Sequence, residues 1–329
     1  MRVGILGATG AVGREMIKIL EERNFPVSEL RPLASPRSAG KTLSFRNGEV
    51  TVLAASDDAF EGLDLVLGAA ENEIAKRFRD SIVASGAVFV DNSSAFRMDP
   101  DVPLIVPEIN PEDVKAHHGV ISNPNCSTII TATGVNALNA LSPITDMIVS
   151  TYQASSGAGQ GGPVELLQET KAYFTGETVE PKVFRYPLAF NLIPEIGSPS
   201  TADYTTEEMK LQNEGRKIMH LPEMNVTCTC VRVPVIRSHS ISATVRTKEP
   251  ISVEDAKRVI SMAPGVLLTD DLPNHRYPMP LDTSDQDLVF VGRIRKDLTS
   301  DRGLSLFIAG DQIRKGAATN AVQIAELLI

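Results

Sequence analysis

The chain has 329 residues, 42% of them hydrophobic and 22% charged, which excludes a fibrous or wholly disordered protein and gives length for roughly two domains of about 150 residues. Its 32 Lys and Arg stand against 41 Asp and Glu, a net charge of −9, which disfavours nucleic acid or an anionic membrane surface as the main partner. No apolar run approaches the ~18 residues of a membrane-spanning helix, the opening MRVGILG lacks the order of a signal peptide, and three cysteines are too few for a disulfide scaffold. A cytoplasmic protein with at least one free thiol is expected.

Residues 2–6 read as a short buried strand, residues 7–13 as a glycine-spaced turn (GATGAVG), and Val12, Met16, Ile17 and Leu20 then recur at helical spacing. In that order Gly7, Thr9, Gly10, Ala11, Val12 and Gly13 would turn their backbone amides, and the positive end of the helix dipole, toward a pyrophosphate. A second strand near 30–34 is not followed by the acid that usually binds a ribose 2′-hydroxyl. It is followed by Ser35, Pro36, Arg37 and Ser38. A guanidinium flanked by two hydroxyls suits a 2′-phosphate, so the expected cofactor is NADP. Apolar strands at 63–67 and 88–90, separated by a helix over 72–83, complete a doubly wound parallel sheet, the N-terminal Rossmann part of an α/β protein.

Cys126 stands in SNPNCSTII, where Pro124 and Asn125 break the chain before a helix expected over 127–141. A thiol at a helix N-terminus has its thiolate stabilised by the dipole, the usual condition for a nucleophilic cysteine. From about residue 145 the texture changes to alternating strands at 147–155, 226–235, 240–247, 288–295 and 304–309, with helical patterns at 163–174, 206–219 and 253–262. This predicts a mostly antiparallel sheet with helices on one face. Ala317, Ala318, Ala321, Val322, Ile324, Ala325 and Leu328 form an apolar helical stripe, best explained by a terminal helix that returns to the first domain. The expected divisions are therefore 1–125 for dinucleotide binding, 126–310 for catalysis and dimerisation, and 311–329 for the returning helix.

Cys228 and Cys230 share one face of a strand and read as packing residues. Two ligands without a second pair do not make a zinc site, and no other metal-ligand cluster is visible. His239, in IRSHS, is the histidine best suited to partner Cys126, although a structural histidine is an open alternative at this point. Arg232 lies among Val231, Val233 and Val235, and an arginine on a buried strand needs an anion. Glu214 and Lys217, three apart, share one helix face and would present either a charge pair to a ligand or a solvated surface.

Taken in order, GATGAVG, ASPRSAG at 34–40, DNSSAFR at 91–97, SNPNCSTI at 122–129, YQASSGAG at 152–159, RVPVIRSHS at 232–240 and the closing GDQIRKGAATNAVQIAE resemble the aspartate-semialdehyde dehydrogenases over nearly the whole chain. The resemblance implies a homodimer or tetramer that uses NADPH to reduce aspartyl phosphate to aspartate semialdehyde, with release of phosphate, on the path to lysine, threonine and methionine. It implies Cys126 as nucleophile, His239 as acid/base and Gln153 as the amide that positions the covalent intermediate. Arg232 and Glu214 would bind the substrate's carboxylate and amino group, and Arg97, Lys217 and Asn125 would surround the phosphate. Ser156, Gly157 and Asn320 would be further cofactor contacts. Two positions depart from the family pattern: Gly215, where Thr is usual, and Ser238, where Gly is usual. Other reductases of acyl phosphates or acyl thioesters, such as N-acetyl-glutamyl-phosphate reductase and malonyl-CoA reductase, would share the Cys and His, and a regulator that binds NADP without turnover is a more distant alternative.

Overall fold

The structure, a computed structural model, describes residues 1–329 and divides into two units, Met1–Asn125 with Ala317–Ile329, and Cys126–Gly316. Residues 311–316, expected to accompany the last helix, fold with the second unit. The reason is local: Asp311 accepts hydrogen bonds from Arg237 and from the Asp285 amide, and Gln312 bonds Ser238 and Ser156.

In the first unit β1 (Arg2–Leu6) leads through the glycine loop into α1 (Ala11–Glu22), and β2 (Glu29–Ala34) follows. A hairpin of β3 (Thr42–Phe45) and β4 (Gly48–Thr51), then β5 (Leu53–Ala54), β6 (Leu65–Gly68), α2 (Asn72–Ala84), β7 (Val88–Asp91) and β8 (Val120–Ser122) complete it. The main sheet is parallel throughout, in the order β5-β2-β1-β6-β7-β8. Its central strands are buried on both faces, which explains why β6 reads as an unbroken apolar run. Met16, Ile19 and Leu20 of α1 pack with Val3, Ile5 and Val90 of the sheet and with Ala321, Val322 and Ile324 of the C-terminal helix Thr319–Glu326. The turn into α1 tolerates no side chain at two of its glycines. Gly7 has φ +89°, and a Cβ there would lie 2.6 Å from the Ala69 carbonyl oxygen; a Cβ on Gly13 would lie 2.4 Å from the Gly7 carbonyl oxygen.

The second unit starts with α3 (Cys126–Val135) and continues with β9 (Ile144–Gln153), α4 (Gly161–Thr175), α5 (Thr206–Ile218), β10 (Asn225–Arg232), β11 (His239–Thr247), α6 (Val253–Ser261), β12 (Val266–Leu268), α7 (Pro280–Thr283), β13 (Val289–Lys296) and β14 (Gly303–Gly310). The sheet order is β10-β9-β11-β14-β13-β12, antiparallel in the middle with a parallel pair at each edge. It is thus mixed, and α3 and α5 lie against it.

Two expected elements are shorter than the pattern suggested. The helix after Cys126 gives way at Val135 to a 3-10 stretch, Asn136–Ala140, where Asn139 bonds Asn136 and accepts the Ile144 amide in place of helix bonds. The strand expected to reach residue 235 ends at Arg232, because Pro234 offers no N–H to a ladder.

Candidate active site

Cys126 is the first residue of α3, and its sulfur lies 3.5 Å from Nε2 of His239, the first residue of β11. The backbone N–H of Ala154 donates to His239 Nδ1 at 3.1 Å. A backbone amide only donates, so Nδ1 carries no hydrogen, and the neutral ring holds its proton on Nε2, facing the sulfur. His239 is fully buried, and burial first, then the Arg232 guanidinium, push its pKa down to about 3. The Ala154 donor opposes the imidazolium in the same sense. The ring is therefore held neutral, with its Nε2–H available as a hydrogen-bond donor toward the sulfur or an oxygen beside it.

Arg232, the last residue of β10, is 7% exposed and donates from Nη1 to the Ala154 carbonyl at 2.7 Å. Its guanidinium lies 5.8 Å from the Phe184 ring centre and lines a cavity of about 210 Å³ with Phe184, Arg185, Ile193 and Glu195. Burial lowers its pKa, while Cys126 and Glu207 raise it. Gly157 makes this packing possible, since a Cβ there would lie 2.7 Å from Arg232 Nη1 and 3.1 Å from His239 Cε1. A side chain at Gly157, a position the sequence suggested as a cofactor contact, would thus strike both Arg232 and His239. Ser156 is engaged within the same unit, donating to the Ile236 carbonyl at 2.6 Å and accepting from Gln312.

Gln153 is buried at the end of β9, with Nε2 3.3 Å from Glu207 and 3.4 Å from the Thr151 hydroxyl. Its amide protons face those acceptors and not a developing oxyanion. Glu207 was not singled out in the sequence, because an acid in the first turn of a helix has an ordinary explanation. Glu214 is buried on α5, and Lys217 is half-buried one turn later. The helix runs unbroken through Gly215 and opens with a reciprocal Thr205–Glu208 capping box. Cys228 and Cys230 are buried as free thiols, their sulfurs 3.7 Å apart in an S–H···S hydrogen bond.

In the first unit the α1 terminus has no side-chain cap, and its first helical bond runs from Arg14 N–H to Gly10 O. The amides of Ala11, Val12 and Gly13 therefore point out of the helix end, next to Thr9 in the loop. A cavity of about 200 Å³ beside the loop is lined by Leu6, Gly7, Ala34, Ser35, Pro36 and Arg77, among others. The uncapped amides, the glycine cradle and this slot fit a dinucleotide. Ser35 and Arg37 are exposed and Ser38 half-buried, around a single 3-10 turn. Arg77, on α2, lines the cavity and brings a cation to it, a residue that the sequence reading did not single out. Arg97 is buried, donating from Nε to the Asn123 carbonyl at 2.9 Å and from Nη2 to the Asn92 carbonyl at 2.8 Å, and its charge is felt by the buried Asp91. Asn125 is buried as well. Asn320, fully buried, spends its amide protons on Ile105 O at 2.9 Å and Asn123 Oδ1 at 2.7 Å, an anchor for the C-terminal helix.

Residues 2–117 match the family model for the semialdehyde dehydrogenase NAD binding domain, and residues 135–315 match that for the semialdehyde dehydrogenase dimerisation domain. The aspartate-semialdehyde dehydrogenase of Synechocystis sp. is 51% identical over 330 residues, covering 100% of this chain and 97% of that protein. The chain belongs to the aspartate-semialdehyde dehydrogenase family. The family enzyme of Bacillus subtilis is 44% identical over 336 residues, covering 100% of this chain and 96% of its own. Among solved structures, aspartate semialdehyde dehydrogenase II of Vibrio cholerae, complexed with ASA, superposes with a TM-score of 0.97 at 40% identity, covering 99% of this chain and 97% of that one. The Candida albicans family enzyme, solved with NADP, gives a TM-score of 0.73 at 26% identity, covering 99% and 98%. Family membership removes the regulator from consideration and makes the first unit a nicotinamide-nucleotide-binding domain. No helix is long and apolar enough to cross a membrane.

Proposed function

We propose that this enzyme converts L-aspartyl-4-phosphate to L-aspartate-4-semialdehyde with NADPH, through a thioester on Cys126. The observation that carries the reading is the 3.5 Å contact between Cys126 Sγ and a His239 whose proton is fixed on Nε2. The thiolate attacks the acyl carbon, the C–O bond to phosphate breaks, and phosphate leaves. NADPH, held at the α1 terminus with its 2′-phosphate on Ser35, Arg37 and Ser38, would supply hydride to that carbon. His239, assigned the acid/base role, holds its Nε2–H on the oxygen that gains negative charge, and that charge then expels the thiolate as the tetrahedral adduct collapses to the aldehyde.

Arg232 is assigned to the substrate carboxylate and Glu214 to its ammonium, Arg97, Asn125 and Lys217 to phosphate, and Gln153 to holding the acyl group. With the Gln153 amide protons already engaged, the oxyanion falls to the backbone amides at the start of α3. The relatives named above support the aspartyl substrate over the N-acetyl-glutamyl and malonyl-CoA alternatives.

The test is steady-state kinetics in the oxidative direction with aspartate semialdehyde and phosphate, using NADP or NAD. Turnover is expected with NADP favoured over NAD, and Cys126→Ala should lose at least about 10³-fold in kcat. Retained turnover in Cys126→Ala would overturn the nucleophile; equal use of NAD would overturn the 2′-phosphate site.

A further inference from the structure

Glu207 is given no part in the reading above, yet its carboxylate touches the side-chain amide assigned to hold the acyl group. Resting on the proposed role of Gln153, we infer that Glu207 is a positioning residue of the reaction: its carboxylate grips the Gln153 amide by the nitrogen and so decides which edge of that amide faces the acyl group.

The geometry allows only one orientation. Gln153 is 2% exposed, with Nε2 3.3 Å from Glu207 Oε1 and 3.4 Å from Thr151 Oγ1. An ionised carboxylate accepts and never donates, so a flipped amide would set two oxygens against each other inside the protein. The amide oxygen is thereby committed to the opposite side.

Glu207 is itself held. Its other oxygen pairs with Lys210 Nζ at 2.8 Å, and its side chain is 9% exposed. The next residue pins the start of α5 to the sheet: Glu208 accepts the Cys230 amide at 3.0 Å and the Thr205 amide at 2.8 Å. A plain explanation exists for an acid in the first turn of a helix, which is favoured by the dipole, and for an i,i+3 pair with a lysine, which contributes little. Neither explanation requires a desolvated contact with a glutamine on the neighbouring strand. The same carboxylate pushes the pKa of both Arg232 and His239 upward against the burial that lowers them, so its charge is felt at three residues of the site.

The test compares wild type, Glu207→Gln, Glu207→Asp, Gln153→Ala and the double variant Glu207→Gln/Gln153→Ala, each measured for kcat, for KM with aspartate semialdehyde and with NADP, and for melting temperature. Glu207→Gln keeps the shape and loses the charge-assisted bond, so kcat should fall about tenfold while KM for NADP holds. Glu207→Asp should recover part of the loss. In the double variant the Glu207→Gln effect should vanish, because it acts through Gln153. A merely structural Glu207 predicts a lower melting temperature with unchanged kcat, or a loss that adds in full to that of Gln153→Ala; either outcome overturns the inference while leaving Gln153 in place. Wild-type kcat in Gln153→Ala overturns the reading of Gln153 and the inference with it.

Discussion

Ser238 holds a left-handed backbone, φ 75°, immediately before the buried His239. A residue with a Cβ gives up about 1–2 kcal/mol in that conformation, and glycine gives up almost none. The hydroxyl compensates by pairing with Thr283 Oγ1, and the N–H donates to Gln312 Oε1 at 2.8 Å. Thr283 is not stranded by losing this partner, since its hydroxyl also reaches the Met279 carbonyl at 3.1 Å. Ser238→Gly therefore relieves strain and loses about 1 kcal/mol of hydrogen bonding, for a net change within about 1 kcal/mol of zero. Ser238→Ala loses the hydroxyl and keeps the strain, so it should be destabilised by about 1–2 kcal/mol. Urea midpoints should thus place Gly close to Ser and Ala below both; an Ala variant as stable as wild type would refute the argument. The sequence marked Ser238 as a departure from the family pattern but gave it no consequence, because a positive φ is a property of the loop and not of the residue type. For the same reason Cys126 and His239 were legible singly, by residue type and motif. Their contact, across 113 residues, was not.

At the scale of elements, α4 acts as a clamp. Glu165 Oε2 accepts the Lys182 and Val183 amides at 2.6 and 2.7 Å, and Oε1 accepts the Phe184 amide at 3.0 Å. One turn on, Glu169 accepts the amides of Leu188 and Ala189 at 2.8 and 2.9 Å. The helix thereby holds the segment that places Phe184 under Arg232. Burial pushes the Glu165 pKa up, but the three amide bonds outweigh it and leave the carboxyl below its ordinary range. A folded-state pKa below the unfolded one gives stability that is present above the ordinary glutamate range and lost as pH falls through the folded value. Hydrogen exchange at the Lys182, Val183 and Phe184 amides, corrected for intrinsic rates, should therefore quicken as pH drops below about 4. In Glu165→Gln the same amides should exchange faster already at neutral pH, with a loss of about 1–3 kcal/mol in their protection. Protection in the variant equal to wild type would refute the clamp. The helix itself was legible from its apolar spacing. Its purpose was not, because two glutamates four apart look like solvent-facing charge until the chain they hold is folded onto them. Strands of two or three residues, β5, β8 and β12, escaped for a simpler reason: they are too short to show alternation.

At the scale of the whole molecule, the second unit has a sheet with two unequal faces. Met147, Val149, Ile241, Ala243, Leu306 and Ile308 are buried, and α3 and α5 pack against the sheet. The pleat sends the alternating residues to the other face. By register Thr227, Ile148, Thr244 and Ser305 form one row across it, and Thr229, Ser150, Ser242 and Phe307 the next. Ile148 is 46% exposed and Tyr152 38% exposed, the latter stacked on Phe307 at 6.4 Å. A further aromatic group, Tyr173, Phe174 and Phe190, is 69%, 75% and 61% exposed. Both surfaces lie in the stretch matched by the dimerisation-domain model. Small hydroxyl residues with a few large apolar anchors let two sheets approach closely, and such a surface is covered most simply by a second copy about a two-fold axis. Because a two-fold interface meets each substitution twice, Ile148→Asp should cost roughly 2 kcal/mol per copy, or about 4 kcal/mol in all, a weakening on the order of 10³-fold. Phe174→Asp should act in the same direction. Sedimentation velocity at micromolar concentration is expected to show wild type as a dimer or a larger even assembly and Ile148→Asp shifted toward monomer. Both variants sedimenting as wild type would remove these surfaces from the interface.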